Sequence, residues 1–143
     1  MRCMPGAGCR YKKSSDARYF LKNYPQKGGI MDNQIQYYAE TGKYRDRFDE
    51  GLPDVMKAYS SFRKTVYKDG VLSLKIKRLI ALACGFQAGC TRCIQGQTKD
   101  AVEAGATKEE ILEAVSVAIV MGGTTVSAET WRVIKVLEEM GKW

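Results

Sequence analysis

The strongest constraint on this sequence is its punctuation. From Asp32 onward, helix-starting and helix-stopping residues recur at helix-length intervals. Pro53 suits the first turn of a helix, where its missing N–H costs nothing. Val55, Tyr59, Phe62 and Val66 then step by four, three and four, which makes one apolar face. Asp69-Gly70 breaks that helix, and Ser73 can cap the next. The following segment should turn Leu79, Ile80, Leu82 and Ala83 inward and end near Gly85 to Gly89. Cys90 opens a helix to about Ala104, stopped by Gly105. Thr107 to Glu110 has capping-box spacing and starts a helix through Ile111, Val115, Ala118 and Ile119, which stops at Gly122-Gly123. A last helix places Trp131, Val133, Ile134 and Leu137 on its apolar side and ends near Gly141. No alternating strand pattern competes, because the β-branched run Val115 to Val120 follows a helix cap at helical spacing. The expected class is all-α, with about six helices.

With 143 residues the chain suggests one domain. A chain of that size buries about 68–70% of the surface its unfolded form exposes, enough for a core without disulfides or a structural metal. Residues 1–30 read differently from the rest. They carry seven Lys or Arg against one acid, whereas residues 31–143 carry sixteen against fifteen. Six units of the formal charge of +7 therefore belong to the first segment, a dispensable basic extension, with Met31 as an alternative start of the globular part. A basic tail beside a near-neutral body argues against a nucleic-acid surface. No continuous apolar run is long enough to span a bilayer, and the start lacks the apolar stretch of a secretory signal. The expectation is a cytoplasmic protein without membrane or nucleic-acid partners.

Chemistry is narrowed by five cysteines and no histidine. Without imidazole there is no Ser-His or Cys-His nucleophile, and the usual nitrogen ligand for a metal is missing. Cys90 and Cys93 stand three apart at a helix start, so both sulfurs share one face. The helix N-terminus favours thiolate, the form that attacks peroxides and disulfides, and a second thiol one turn away can resolve the product. Two other readings are a structural disulfide and half a zinc site. The first would contribute only about 2 kcal/mol for so small a loop and would open in a reducing compartment. The second lacks a matching second pair, because Cys3 and Cys9 are wrongly spaced. No metal and no cofactor is expected. Cys84 reads as a small buried hydrophobe, and Cys3 and Cys9 as free thiols.

Residues from about Leu72 to Ser127 resemble the AhpD-like, carboxymuconolactone decarboxylase superfamily. The resemblance rests on Leu72-Ser73, Arg78 to Leu82, the Cys90-x-x-Cys93 pair, Glu103 to Ile111, Glu113-Ala114 and Met121 to Gly123, in that order. It implies an all-α fold that assembles into trimers or hexamers. In the redox branch it implies reduction of an alkyl hydroperoxide or of a partner peroxiredoxin through the cysteine pair, with a thiol reductant protein as an alternative partner. That branch usually has Glu twelve residues before the first cysteine and His four after the second; this chain has Arg78 and Gln97 there. Only Cys90 and Cys93 carry over as catalytic residues. Arg78 could favour a thiolate by its charge or could face solvent, and Gln97 could hydrogen-bond a sulfur or a bound peroxide. The alternatives are a non-catalytic helical oligomer or redox sensor, and a decarboxylase-like enzyme.

Overall fold

The computed structural model describes residues 33–143; the basic segment and the Met31 start lie outside the described residues. Six helices follow one another, and no strand occurs among the described residues: α1 (Gln34–Glu50), α2 (Pro53–Val66), α3 (Leu74–Gln87), α4 (Thr91–Glu103), α5 (Lys108–Ser127) and α6 (Trp131–Glu139). The punctuation acts as expected. Ser73 Oγ accepts the N–H of Ile76 at the head of α3. Pro53 opens α2. At α5 the Thr107 hydroxyl accepts the Glu110 N–H, and the Glu110 carboxylate accepts the Thr107 N–H, at 3.2 and 2.9 Å.

The Glu110 carboxylate also takes Lys75 Nζ of α3 at 2.6 Å. Lys75 first, then the Thr107 N–H, hold the Glu110 pKa below its ordinary value. A depressed carboxylate contributes stability above its unfolded pKa. That contribution is lost as the pH falls through the lowered folded value.

The centre is the α3–α4 hairpin. α5 packs on α3, α6 on α4, and α1 lies across α4 and α6. Leu82 and Phe86 of α3, Ile94 and Ala101 of α4, Ile111, Val115 and Ala118 of α5, and Val133 and Leu137 of α6 form one buried cluster. α1 is fixed mainly by polar contacts. The N–H groups of Gln34 and Ile35 donate to the Glu139 carboxylate at 2.7 and 2.8 Å, so an acid from α6 satisfies the orphan donors of α1. Gln95 of α4 donates to Gln34 Oε1 at 2.6 Å inside the bundle.

Three readings of the sequence need correcting. Ile80 is not inward; it is half-exposed. Gly122-Gly123 does not stop α5. The backbone breaks at Gly123 (φ 61°, a left-handed value that glycine tolerates), and one more helical turn follows to Ser127. Because α5 runs through, it is long and apolar enough to cross a membrane by length and composition, although Ile111, Val115, Ala118 and Val126 face the bundle. Third, Cys84 is exposed rather than buried.

α2 buries no residue, and Val55, Tyr59, Phe62 and Val66 all remain exposed. Val117, Val120 and Met121 of α5 are 60, 84 and 77% exposed.

Candidate active site

Gly89 (φ 60°) turns the chain from α3 straight into α4 in a conformation disfavoured for a residue with a Cβ. The turn leaves Cys90 as the N-cap of α4, with its Sγ accepting the Cys93 N–H at 3.2 Å. A sulfur here meets the positive end of the helix dipole and a backbone donor together. The sulfurs of Cys90 and Cys93 lie at disulfide-bonding distance, with their Cα atoms 5.1 Å apart. Opposite them, Gly85 of α3 has no side chain because none fits: a Cβ there would stand 3.0 Å from Cys93 Cβ.

The pair opens into a cleft of about 490 Å³ between α1, α2, α3 and α4. Gln97 and Gly96 continue the wall along α4, and Ala81, Cys84 and Ala88 form the α3 side. Tyr38, Tyr59 and Tyr67 close it with aromatic surface, and Arg45, Arg63 and Arg92 bring charge. Gly96 lets Tyr38 lie directly on α4, since a Cβ there would come within 2.8 Å of the ring. Arg92, between the two cysteines in sequence, ties α1 to the site. Its Nη1 donates to the Tyr38 carbonyl at 2.7 Å and to the Thr41 hydroxyl, and its guanidinium stacks 4.2 Å above the Tyr38 ring.

Arg78 is not a solvated surface charge. Its side chain is 17% exposed, its Nη1 pairs with Asp100 at 2.8 Å, and the guanidinium sits 3.8 Å over Tyr67. It lines the neighbouring cleft, with Ser60 and Lys64, rather than the cysteine cleft. Gln97 does line the cysteine cleft, and its Oε1 accepts from Arg78 at 3.2 Å. The two positions where the resemblance expects Glu and His are therefore in contact. Neither the arginine nor the amide can relay a proton near neutral pH.

The pair Arg78–Asp100 should hold α3 on α4. Arg78→Gln is expected to lower stability by about 1–3 kcal/mol, since a partly buried carboxylate loses a charged donor. Arg78→Gln with Asp100→Asn should cost less than the two single changes added together. A denaturant double-mutant cycle measures the coupling.

Among the described residues, no three His, Cys, Asp or Glu side chains stand close enough to hold a metal. Sequence reading did not place Tyr38, Arg45 and Arg92, Tyr59 and Arg63 of α2, or Tyr67 just after it, at the site. The available signals were the glycines inside helical patterns: Gly85 and Gly96 mark places where another residue presses on the backbone.

The model of the carboxymuconolactone decarboxylase family matches residues 53–136. The chain belongs to the carboxymuconolactone decarboxylase family. The match spans α2 to α6 almost entirely, and so includes the cysteine pair and the α3–α4 hairpin. Protein 4 of the cox locus of Paracoccus denitrificans, itself uncharacterised, is 37% identical over 83 residues, 58% of this chain and 75% of the relative. A family protein of Legionella pneumophila, solved without ligand, shares 29% identity with a TM-score of 0.71 over 76% of this chain and 98% of its own. Another, from Thermotoga maritima and described as "possibly involved in antioxidative response", is 28% identical with a TM-score of 0.66. That match covers 73% of this chain and 90% of the Thermotoga protein.

Proposed function

We propose that this family member is a thiol–disulfide oxidoreductase, with alkyl hydroperoxide as a second class of oxidant, and that Cys90 and Cys93 are its catalytic residues. The observation that carries the reading is a cysteine pair at bonding distance, set on a helix N-terminus and opening into a cleft. In the reduced form the helix end favours one thiolate. With a hydroperoxide, that sulfur attacks the terminal oxygen, the O–O bond breaks, and the alkoxide leaves and takes a proton from water. The second thiol then displaces water from the sulfenic acid and closes the disulfide. With a disulfide, the thiolate forms a mixed disulfide that the second thiol resolves. A dithiol, a peroxiredoxin or another thiol protein would complete the cycle by exchanging electrons with the pair. The Thermotoga relative's antioxidative description supports the same direction.

The test is a thiol count. Oxidation of reduced protein by a hydroperoxide or small disulfide should remove two thiols, which mass spectrometry locates at Cys90 and Cys93 and a dithiol restores. Persistence of both thiols would refute the reading. One observation favours a second reading, a redox sensor without turnover: the relay positions hold the Arg78–Gln97 contact, which moves no proton. In that case the disulfide would form, but repeated cycles of substrate consumption would not.

The exposed apolar side chains of α2 and of α5 around Val120 also support a homo-oligomer, the trimer or hexamer the resemblance implies. Analytical ultracentrifugation at micromolar concentration should give a multiple of the 16.0 kDa chain mass. A monomer would contradict it.

A further inference from the structure

We infer that the cleft over Cys90 and Cys93 selects small disulfides bearing carboxylate groups as the oxidised partner of the dithiol. The inference rests on the redox reading above and adds substrate charge and leaving group to it. Its first basis is electrostatic. The cleft wall contains three arginines and no Asp or Glu. Arg45 is balanced by Asp49 at 2.6 Å, and Arg78, just outside, by Asp100. Arg63 and Arg92 have no carboxylate partner among the described residues. Arg63 meets only the rings of Tyr59 and Tyr67, each at 5.9 Å, and Arg92 is held by a carbonyl, a hydroxyl and a ring. Two guanidinium groups without a carboxylate partner among the described residues thus line the same cleft as the sulfurs. The guanidinium fork matches a carboxylate in shape as well as charge, and the flanking tyrosines offer apolar surface to the rest of the molecule.

The second basis is the leaving group. Breaking an O–O bond releases an alkoxide that must be protonated, and the cleft wall offers for this only weakly acidic tyrosine phenols, with no carboxylic acid, imidazole or ammonium. Breaking an S–S bond releases a thiolate, a far weaker base than an alkoxide, which can leave without an acid and is stabilised by arginine. The step balances as two exchanges. One thiolate of the pair bonds to a substrate sulfur and expels the first carboxylate-bearing thiolate. The second cysteine, losing its proton to water, attacks the protein sulfur of the mixed disulfide and expels the second. One substrate disulfide is reduced by two electrons, and the dithiol becomes the Cys90–Cys93 disulfide, to be reopened by a dithiol reductant.

The test is single-turnover oxidation of the reduced full-length chain with Cys3, Cys9 and Cys84 changed to serine, so that Cys90 and Cys93 are the only thiols. Three probes are used: dithiobis-nitrobenzoate (two carboxylates), dipyridyl disulfide (neutral) and cystamine (two ammonium groups). Each rate is divided by that of free dithiothreitol with the same probe, which removes intrinsic reactivity. The normalised rate should favour the dicarboxylate over cystamine by about tenfold or more at low salt, and the preference should collapse at high salt. Arg63→Gln, which removes an exposed side chain, should slow the dicarboxylate by roughly threefold or more while the neutral probe stays within about twofold. Arg63→Glu should reverse the preference. If all three probes oxidise the pair without charge preference, or Arg63→Gln and Arg92→Lys slow all three equally, the inference is overturned and the redox reading stands. If no probe oxidises the pair, both fall.

Discussion

Cys90→Ser and Cys93→Ser should each abolish catalytic turnover while leaving the fold intact. The expected loss is at least about a hundredfold in steady-state consumption of a disulfide or hydroperoxide, because serine at neutral pH is neither a thiolate nor able to form a disulfide. The structure makes the comparison clean. Cys90 caps α4 by accepting the Cys93 N–H, and a serine hydroxyl is a strong N-cap, so α4 keeps its start. Cys93 Cβ faces the bare backbone of Gly85, a contact that serine preserves. Reduced wild type and both variants should therefore melt within a few degrees of one another. The oxidised wild type should be more stable by about 2 kcal/mol, the loop-closure value for so short a bridge. The two variants should also differ in a single turnover. The one that keeps the attacking cysteine will accumulate a mixed disulfide with the probe, and the other will not react. Mass spectrometry of the trapped adduct thus identifies the nucleophile. Steady-state turnover retained by either variant would remove the pair from the mechanism.

Ile94→Ala should produce the largest loss of stability. Ile94 directly follows the second cysteine, is fully buried, and belongs to the cluster that holds α3, α4, α5 and α6 together. Truncating a buried Ile to Ala costs about 2–5 kcal/mol in lost transfer free energy and residual cavity. For a domain of this size that lowers the melting temperature by roughly 10 °C or more. The helix itself gains slightly, since alanine is the better helix former, but by less than about 0.7 kcal/mol. Calorimetry or urea denaturation of the reduced protein gives the result. A loss below about 1 kcal/mol would mean that α4 is not anchored through this side chain. The variant also bears on the site, because Cys93 and Gln97, which flank Ile94 on α4, line the cleft.

α2 is the element most exposed to reinterpretation. Its Val55, Tyr59, Phe62 and Val66 follow strict helical spacing, and the spacing is real, but the face they make is not core. Periodicity reports that one side of a helix is apolar. It does not say whether the same chain or another copy covers that side. Cys84 failed in the opposite sense. A cysteine in an apolar helix is most often buried, yet this one faces the cleft, because the neighbouring Gly85 takes the contact with α4.

What the sequence determined by itself was local. Caps and breakers act within a few residues through backbone hydrogen bonds, so Pro53, Ser73, Gly105 and the Thr107–Glu110 box set the start or stop of their helices as read. The placement of Cys90 and Cys93 on one face of a helix start is equally local, because one turn of helix brings positions three apart together. Gly122-Gly123 shows the limit: glycine permits a left-handed residue, but whether the helix resumes beyond it depends on packing, here Val126 entering the core. Everything that gives the sulfurs a chemical setting came from elsewhere in the chain. Tyr38 reaches α4 from α1, Arg63 and Tyr67 come from α2 and the turn after it, and Arg78 finds Asp100 and Gln97 across a helix pair. These contacts join residues far apart in sequence, and only the packing of whole helices decides them. For the same reason position 78 could be read as solvated or as poised beside a thiol, whereas in the fold its charge is already balanced by a carboxylate one helix away.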